Sequence, residues 1–170
     1  MTATGTIVHY AVKSTTLGPV LIAGSDDAIR CVAFREGRGE LEARFPGSII
    51  VEGNERFDAL AERVVAAIEE PRATHDIPLD TRGTAFRETV WRELKAIPPG
   101  ETRSYRDIAA AIGNPKATRA VGGANGANMI AVLIPCHRVI AADGSQGGYA
   151  YGDEIKRELL RRERQVMEAN

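Results

Sequence analysis

The hydrophobic pattern of the chain changes near residue 80, and this change limits the folds available to it. Before that point, short apolar runs rich in β-branched and aromatic residues are separated by turn residues, which is typical of strands with short antiparallel connections. After it, apolar residues recur with helical spacing. The chain is therefore predicted to be an α/β protein of the α+β type, with an antiparallel sheet followed by a mostly helical part. The predicted strands are 7–12, 19–23, 29–34 and 49–51.

Two helical stretches are predicted within the first half. A short one lies at 40–44, and a longer amphipathic one covers 55–69, where apolar residues fall on one face. The polar, proline-bearing segment 69–78 is interpreted as a linker. We therefore place a domain boundary near residue 80, with a supporting domain at 1–80 and a second domain at 81–170.

The second half is predicted to contain a pair of short helices joined by a tight turn. Ser104 with Asp107 three residues later forms a capping-box pattern, and Gly113 ends this helix. Asn114 and Pro115 then suit the N-cap and first position of a second helix, predicted to run over 116–124. The pattern over about 104–125 is that of a helix-turn-helix, although many helical hairpins of this kind bind nothing.

Two further predicted helices complete the second half. Thr84 is a predicted cap for a helix that ends before Pro98-Pro99-Gly100. The last helix is predicted to start at Asp153, and its spacing places Glu163 on the apolar stripe of Ile155 and Leu159.

Charge is distributed unevenly along a chain whose formal net charge is only −1. Residues 1–81 hold 8 basic and 13 acidic side chains, 82–138 hold 9 and 4, and 139–170 hold 5 and 6. The basic segment 82–138 suggests a surface that binds a polyanion. An ordinary solvated surface with an uneven distribution of charge would explain the counts equally well. The longest apolar run, 129–134, is too short to span a bilayer, and the first five residues lack a secretory pattern. With two cysteines and no disulfide framework, we expect a cytoplasmic protein without membrane contact.

Cys136, His137 and Arg138 stand next to one another and form the strongest chemical signal in the chain. A thiol becomes nucleophilic when a base or a positive charge favours its thiolate, and here both are adjacent. Pro135 interrupts the apolar segment before the cysteine, at a point suited to a pocket. The alternative is that Cys136 is a small core residue, as we expect of Cys31.

Glu163 is the candidate partner of His137. A glutamate is rarely buried without a partner, so a position on an apolar stripe suggests that it orients a buried histidine. A solvated glutamate near a frayed C-terminus is the alternative.

Residues 79–163 closely resemble the O6-alkylguanine-DNA alkyltransferases, the methylated-DNA–protein-cysteine methyltransferase family. The Pro-Cys-His-Arg-Val core is highly specific in this context, whereas residues before 79 match only loosely. The matching segments are Arg82–Phe86, Pro99–Thr102, Ser104-Tyr105, Asn114–Ala117, Arg119–Gly122, Asn128, Ile134–Ile140, Asp143-Gly144 and Gly148–Gly152.

The resemblance implies a fold and an activity. The first domain would be RNase H-like, and the second would carry the DNA-binding helix-turn-helix and the alkyl acceptor. The activity would be DNA repair by irreversible, stoichiometric transfer of an alkyl group from O6-alkylguanine, and less readily from O4-alkylthymine, to Cys136. No cofactor or metal is implied, and we expect a monomer acting on double-stranded DNA.

The resemblance also implies roles for the site residues. His137 and Glu163 would deprotonate Cys136 through a water, because neighbouring side chains of an extended segment point apart. Tyr105 would supply a proton or hydrogen bond to the leaving guanine. Arg119 would fill the space of a base flipped from the duplex. The other DNA-binding positions would be Lys116, Ala117, Thr118 and Ser104, the pocket positions Asn128, Val139, Tyr149, Ala150 and Pro135, and the structural position Arg138.

Some positions depart from the family pattern. Met129 replaces a usual proline, and Tyr151 is bulkier than the residue often found there, which disfavours large alkyl groups. His9, Cys31 and His75 do not reproduce the zinc ligands of some relatives. We also expect no cysteine-rich activator domain before residue 1.

Three other functional classes remain open at this level. A non-enzymatic lesion binder would share the fold, but in such relatives the cysteine is replaced. A helix-turn-helix regulator would leave Cys136 and Glu163 unexplained. A cysteine hydrolase would need an oxyanion hole that the sequence does not reveal.

Overall fold

The protein, analysed as a computed structural model, is described for residues 5–71 and 75–168. Two compact units are formed, Met1–Glu69 with Thr74–Asp80 and Glu70–Ala73 with Thr81–Asn170. The predicted linker falls partly on residues 72–74, which lie outside the described residues.

The first unit contains a four-stranded sheet whose spatial order is β3-β2-β1-β4. Strands β1 (Ile7–Thr15), β2 (Gly18–Gly24) and β3 (Ile29–Phe34) form an antiparallel meander, as their short connections predicted. Strand β4 (Ile49–Glu52) is added in parallel to β1 at the edge. The structure thus confirms the four strands placed by the sequence.

Helices α1 (Leu41–Arg44) and α2 (Glu55–Glu69) complete the first unit. Asn54 caps α2, because its side-chain oxygen accepts a hydrogen bond from the backbone N–H of Phe57 at 2.9 Å. Helix α2 contacts β1 and β2, and its apolar stripe is buried. The buried residues of α2 are Phe57, Leu60, Ala61, Val64, Ala67 and Ile68.

The second unit is built mainly from four helices. They are α3 (Ala85–Lys95), α4 (Tyr105–Ala111), α5 (Thr118–Gly126) and α6 (Asp153–Glu168). The predicted caps are present: Thr84 accepts from the N–H of Arg87, and Ser104 and Asp107 form a reciprocal capping box. The α+β class predicted from the sequence is confirmed.

The predicted start of α5 is wrong. Asn114 and Pro115 do not begin the helix, because Asn114 accepts a hydrogen bond from the N–H of Ala117 and closes a separate turn. The helix starts at Thr118, after Ala117 as N-cap, and no side chain caps it. Lys116 therefore lies in the turn between α4 and α5 and not on the second helix. A proline after a capping residue fits a turn as well as a helix start, so local sequence does not separate the two.

Two contacts connect the elements of the helical unit to one another and to the segment that carries Cys136. The indole N–H of Trp91 on α3 donates to the carbonyl of Ala124 on α5 at 2.8 Å, inside the core. Strands β5 (Arg103–Ser104) and β6 (Val139–Ile140) pair in parallel. This pairing brings the start of α4 beside the residues that follow Cys136.

None of the helices of the described residues has the length and apolar character needed to cross a bilayer.

Candidate active site

The segment before the cysteine makes two very tight turns. The N–H of Leu133 bonds to the carbonyl of Ala131, and Val132 between them has φ +70°. A β-branched residue is strained in this conformation. The N–H of Cys136 then bonds to the carbonyl of Ile134 around Pro135. The backbone thus leaves the apolar run abruptly, as the proline predicted.

Cys136–Arg138 form a turn of 3₁₀ helix, so the extended conformation expected here is wrong. In a 3₁₀ helix successive side chains point in directions about a third of a turn apart. Cys136 and His137 therefore still diverge, but for a different geometric reason. Pro135 precedes the turn, and its carbonyl accepts the N–H of Arg138 at 2.9 Å.

His137, Arg138 and Glu163 form a buried polar cluster. Nε2 of His137 lies 2.7 Å from Oε1 of Glu163. Arg138 donates from Nη2 to the same carboxylate at 2.8 Å and from Nη1 to the carbonyl of Ile97 at 2.6 Å. His137 is 0% exposed and Glu163 1% exposed. The carboxylate predicted to face the core thus has two partners that satisfy it.

The charges of this cluster follow from its surroundings. Burial lowers the pKa of His137 from its usual value, so its imidazole is neutral, and Nε2–H donates to Glu163. Burial alone would raise the pKa of Glu163, but hydrogen bonds and charge from His137 and Arg138 lower it to about 2. Nδ1 of His137 is buried without a hydrogen-bond partner. In this tautomer that nitrogen is a base.

Cys136 is nearly enclosed, with 7% of its surface exposed. Burial raises the pKa of its thiol, while the side chain of Asn128 and the charge of Lys156 act in the opposite direction. Asn128 also donates to the carbonyl of Ile134 at 2.8 Å and accepts from the N–H of Ile130 at 2.9 Å. It therefore connects the end of α5 to the strained segment.

A cavity of about 260 Å³ opens beside the thiol. It is smaller than the roughly 300–1,000 Å³ of sites for drug-sized molecules, and its size suits a single ring system. Tyr149 and Tyr151 meet edge to face at 5.5 Å in its wall. Of the predicted pocket residues, Asn128, Tyr149 and Ala150 line it. The full lining is Tyr105, Gly122, Asn125, Gly126, Asn128, Cys136, Gly148, Tyr149, Ala150 and Tyr151.

The other two predicted pocket residues, Pro135 and Val139, are buried and do not line the cavity. The carbonyl of Val139 accepts a hydrogen bond from Nζ of Lys156 at 2.7 Å. A carbonyl oxygen has a second lone pair, so this contact leaves it able to accept another hydrogen bond.

Tyr105 is the first residue of α4 and lines the cavity with its partly buried ring. Burial raises the pKa of its phenol, and the charge of an ionised Cys136 would raise it further. The phenol is therefore protonated and available as a donor at neutral pH.

The predicted DNA-binding residues lie around the start of α5. Lys116, Thr118 and Arg119 are exposed, and Ala117 is partly exposed. Ser104 is used as the N-cap of α4. Arg119 lies in the first turn of α5, whereas Gly122, Asn125 and Gly126 further along the same helix line the cavity.

Two residues of the site were missed by the sequence analysis. Lys156 is fully buried on α6, and Asn125 on α5 lines the cavity with its side-chain oxygen unpaired. Lys156 follows Ile155 on the buried side of α6, and a lysine next to an apolar stripe normally extends to solvent. Its spacing of seven residues from Glu163 was the available signal, because such spacing places both on one helix face.

Within the described residues, no group of three or more His, Cys, Asp or Glu side chains is arranged to hold a metal ion. Cys31 is buried in β3, and burial raises the pKa of its thiol to about 12. It is therefore an unreactive core residue.

Fold and site together define an α+β protein in which a buried cysteine stands beside a histidine–glutamate pair at the edge of a small cavity. A family model described as "6-O-methylguanine DNA methyltransferase, DNA binding domain" matches residues 85–165. A methylated-DNA–protein-cysteine methyltransferase of Methanosarcina acetivorans is 44% identical over 92% of this chain and 98% of its own length. An inducible one of Bacillus subtilis is 43% identical over 89% and 82%.

A crystal structure of Mycobacterium tuberculosis OGT in complex with DNA superposes with a TM-score of 0.79 at 39% identity. The match covers 92% of this chain and 93% of that one. The chain belongs to the methylated-DNA–protein-cysteine methyltransferase family, as the resemblance indicated.

Proposed function

We propose that this protein repairs DNA by transferring the alkyl group of O6-alkylguanine, typically a methyl group, irreversibly to Cys136. The observation that carries the proposal is the position of the Cys136 thiol on the wall of a cavity of about 260 Å³, beside the buried His137–Glu163 pair. Each chain acts once, because the thioether it forms has no leaving group that would regenerate the thiol. O4-alkylthymine is a poorer substrate in this proposal.

The first step is ionisation of the thiol. Nδ1 of His137 is an unpaired buried base, and a bridging water would carry the proton to it from Cys136. Glu163 holds the imidazole in the tautomer that leaves Nδ1 free and stabilises the imidazolium that forms.

The second step is an in-line displacement. The thiolate sulfur forms a bond to the alkyl carbon while the bond from that carbon to O6 breaks, and the electron pair stays on guanine. Tyr105, whose phenol is protonated, donates to the leaving base. Overall, the proton of the thiol replaces the alkyl group on guanine, so no cofactor is needed.

The base must leave the duplex to reach the thiol, because an enzyme side chain cannot reach O6 of a guanine that is stacked within the duplex. Arg119, exposed in the first turn of α5, would occupy the vacated space, with Lys116, Ala117, Thr118 and Ser104 near the backbone. The cavity would hold the flipped guanine between Tyr149, Ala150 and Asn128, with the carbonyl of Val139 facing the exocyclic amine. Double-stranded DNA is thus the partner, bound by a monomer whose first domain, 1–80, supports the second domain, 81–170.

The decisive experiment is intact-mass measurement after incubation with duplex DNA containing O6-methylguanine. The expected result is a gain of one methylene per chain, mapped by peptide analysis to Cys136, that stops at one equivalent. Cys136→Ala should give no gain while retaining binding to the lesion, and Cys31→Ala is the matched control that should behave as the unchanged protein. An unchanged mass with tight binding would instead indicate a non-enzymatic lesion binder.

A further inference from the structure

Lys156 is a fully buried lysine within the active-site unit. Its side chain is 0% exposed, and its ammonium donates to the carbonyls of Val139 at 2.7 Å and Gly148 at 3.3 Å. Both carbonyls belong to segments that flank the cavity. A Cβ built on Gly147 would lie 3.7 Å from both Nζ of Lys156 and the phenol oxygen of Tyr105. Nζ of Lys156 and the phenol oxygen of Tyr105 thus lie close to one another, and Tyr105 lines the cavity.

The charge of this ammonium has no carboxylate in direct contact. Within residues 5–71 and 75–168, no acidic side chain lies at salt-bridge distance from Nζ of Lys156, whose hydrogen bonds go to neutral carbonyls. Glu163, seven residues further along α6, already accepts hydrogen bonds from His137 and Arg138. A buried charge without an opposite charge is costly, so the fold retains this lysine at an energetic disadvantage.

Cys136 is the group that can supply the missing opposite charge. The positive charge of Lys156 lowers the pKa of the Cys136 thiol, and an ionised Cys136 is the leading influence that raises the pKa of Lys156 against burial. Asp153 raises it as well, but to a smaller extent.

We propose that Lys156 is a positioning residue that serves as the buried counter-ion of the Cys136 thiolate, while His137 carries the proton. The inference rests on Cys136 being the alkyl acceptor. In this proposal two elements activate the thiol. His137 in the 3₁₀ turn is the base that accepts the proton, and Lys156 on α6 provides the positive charge that balances the thiolate. The two carbonyl contacts hold the ammonium in place and at the same time fix the walls of the cavity.

Other groups facing the thiol cannot take this role. Tyr105 from α4 and Tyr149 from the loop before α6 are phenols with raised pKa values, so they are neutral. The charge of Arg138 is compensated by Glu163 in direct contact. The ionisable groups to be considered in any pH dependence are Tyr105, His137, Arg138, Tyr149, Asp153, Lys156 and Glu163.

The charge balance changes when the alkyl group is transferred. The thiolate becomes a neutral thioether, and the ammonium of Lys156 loses its counter-ion. Because coupling between two ionisable groups is reciprocal, alkylation of Cys136 must lower the pKa of Lys156 in the unmutated protein.

The test measures the rate of alkylation of Cys136 by iodoacetamide as a function of pH, without DNA, with Cys136→Ser as the blank. Lys156→Met removes both the charge and the hydrogen bonds, whereas Lys156→Gln keeps a hydrogen-bond donor and removes only the charge. Both variants are expected to move the inflection of the pH–rate curve upwards by about one pH unit or more, a tenfold loss of thiolate below the inflection. Lys95→Met, at an exposed position on α3, is the matched control for loss of a positive charge and should leave the curve in place.

Three outcomes would overturn the inference or its electrostatic basis. An unchanged inflection in both variants would remove Lys156 from activation altogether. An inflection shifted in Lys156→Met but restored in Lys156→Gln would show that only the hydrogen bonds matter. If neither variant folds, NMR titration of the lysine ammonium decides: an unchanged Lys156 pKa after methylation of Cys136 contradicts the proposal.

The same measurements separate this inference from the proposed repair activity. Iodoacetamide reports the state of the thiol whether or not the protein accepts an alkyl group from DNA. Absence of methyl transfer from O6-methylguanine duplex with a shifted inflection in Lys156→Gln would therefore refute the proposed function and leave the counter-ion intact.

Discussion

Glu163 accepts a hydrogen bond from His137 at 2.7 Å although 26 residues separate them in the chain, and both side chains are buried. The same carboxylate is bound by Arg138, the neighbour of that histidine. One acidic residue on α6 thus fixes the orientation of the imidazole and neutralises a buried guanidinium. In the proposed reaction, the chemistry and the stability of the second unit therefore both depend on this side chain.

Replacing Glu163 by Gln is expected to lower both the stability of the protein and the rate of methyl transfer. The change leaves the guanidinium of Arg138 buried without an opposite charge, which costs about 3–5 kcal/mol of unfolding free energy. It also removes support for the imidazolium, so methyl transfer slows and the pKa of the Cys136 thiol rises. Urea unfolding and the pH dependence of thiol alkylation measure the two effects.

Glu158→Gln is the matched control on the same helix. Glu158 pairs with Arg161 and Arg162 near the surface, where an ion pair contributes up to about 1 kcal/mol. Transfer should be unaffected by this change. If the Glu163→Gln variant had the same thiol pKa as the unmutated protein, the proposed proton transfer from Cys136 to His137 would be wrong.

Stability is expected to fall as the pH is lowered from 7 to 5. Burial lowers the pKa of His137 in the folded protein below the value of about 6.5 that it has in the unfolded chain. At a pH between these two pKa values the unfolded chain binds a proton that the folded protein does not, which favours unfolding. Glu163, with a folded pKa of about 2, adds a second loss of stability in the same direction from about pH 4.3 downwards.

Urea unfolding at several pH values tests this dependence. His137→Asn should flatten the slope of unfolding free energy between pH 5 and 7, and His75→Gln, in the other unit, should keep it. A slope that persists in full without His137 would assign the acid sensitivity to other groups.

Tyr105→Phe is expected to slow transfer from O6-methylguanine duplex by roughly 10²-fold, since the leaving base loses its proton donor. Reaction of Cys136 with iodoacetamide, whose leaving group needs no proton, should change little. Single-turnover kinetics with both reagents distinguish the roles, because a purely structural role of the Tyr105 hydroxyl predicts equal losses with the two.

Arg119→Ala is expected to slow repair of duplex DNA far more than reaction with free O6-methylguanine, which needs no flipping. Arg92→Ala, an exposed arginine on α3, is the control for loss of positive charge. Binding of both variants should weaken with added salt because phosphate contacts release counterions. Equal losses on duplex and free base in the Arg119 variant would contradict the proposal that Arg119 occupies the space of the flipped base.

The elements that could be predicted are those governed by local physics. The capping box of Ser104 and Asp107, the cap at Thr84 and the stripe of α2 each depend on residues within a few positions of one another. The start of α5 could not be predicted, because Asn114 and Pro115 suit a turn and a helix equally. In the structure the N–H of Ala117 donates to the carbonyl of Asn114 and closes a turn.

The sequence by itself determined the class of chemistry: a cysteine beside a histidine and an arginine, with a glutamate on an apolar stripe, needs no fold to indicate an activated thiol. Only the tertiary structure decided how these groups meet. It turned Cys136–Arg138 into a 3₁₀ turn, left Nδ1 of His137 unpaired and brought the buried ammonium of Lys156 to the carbonyl of Val139. Hydrogen bonds and charge interactions act over a few ångströms in space, whatever the separation along the chain, so partners 17 residues apart carry no local signature.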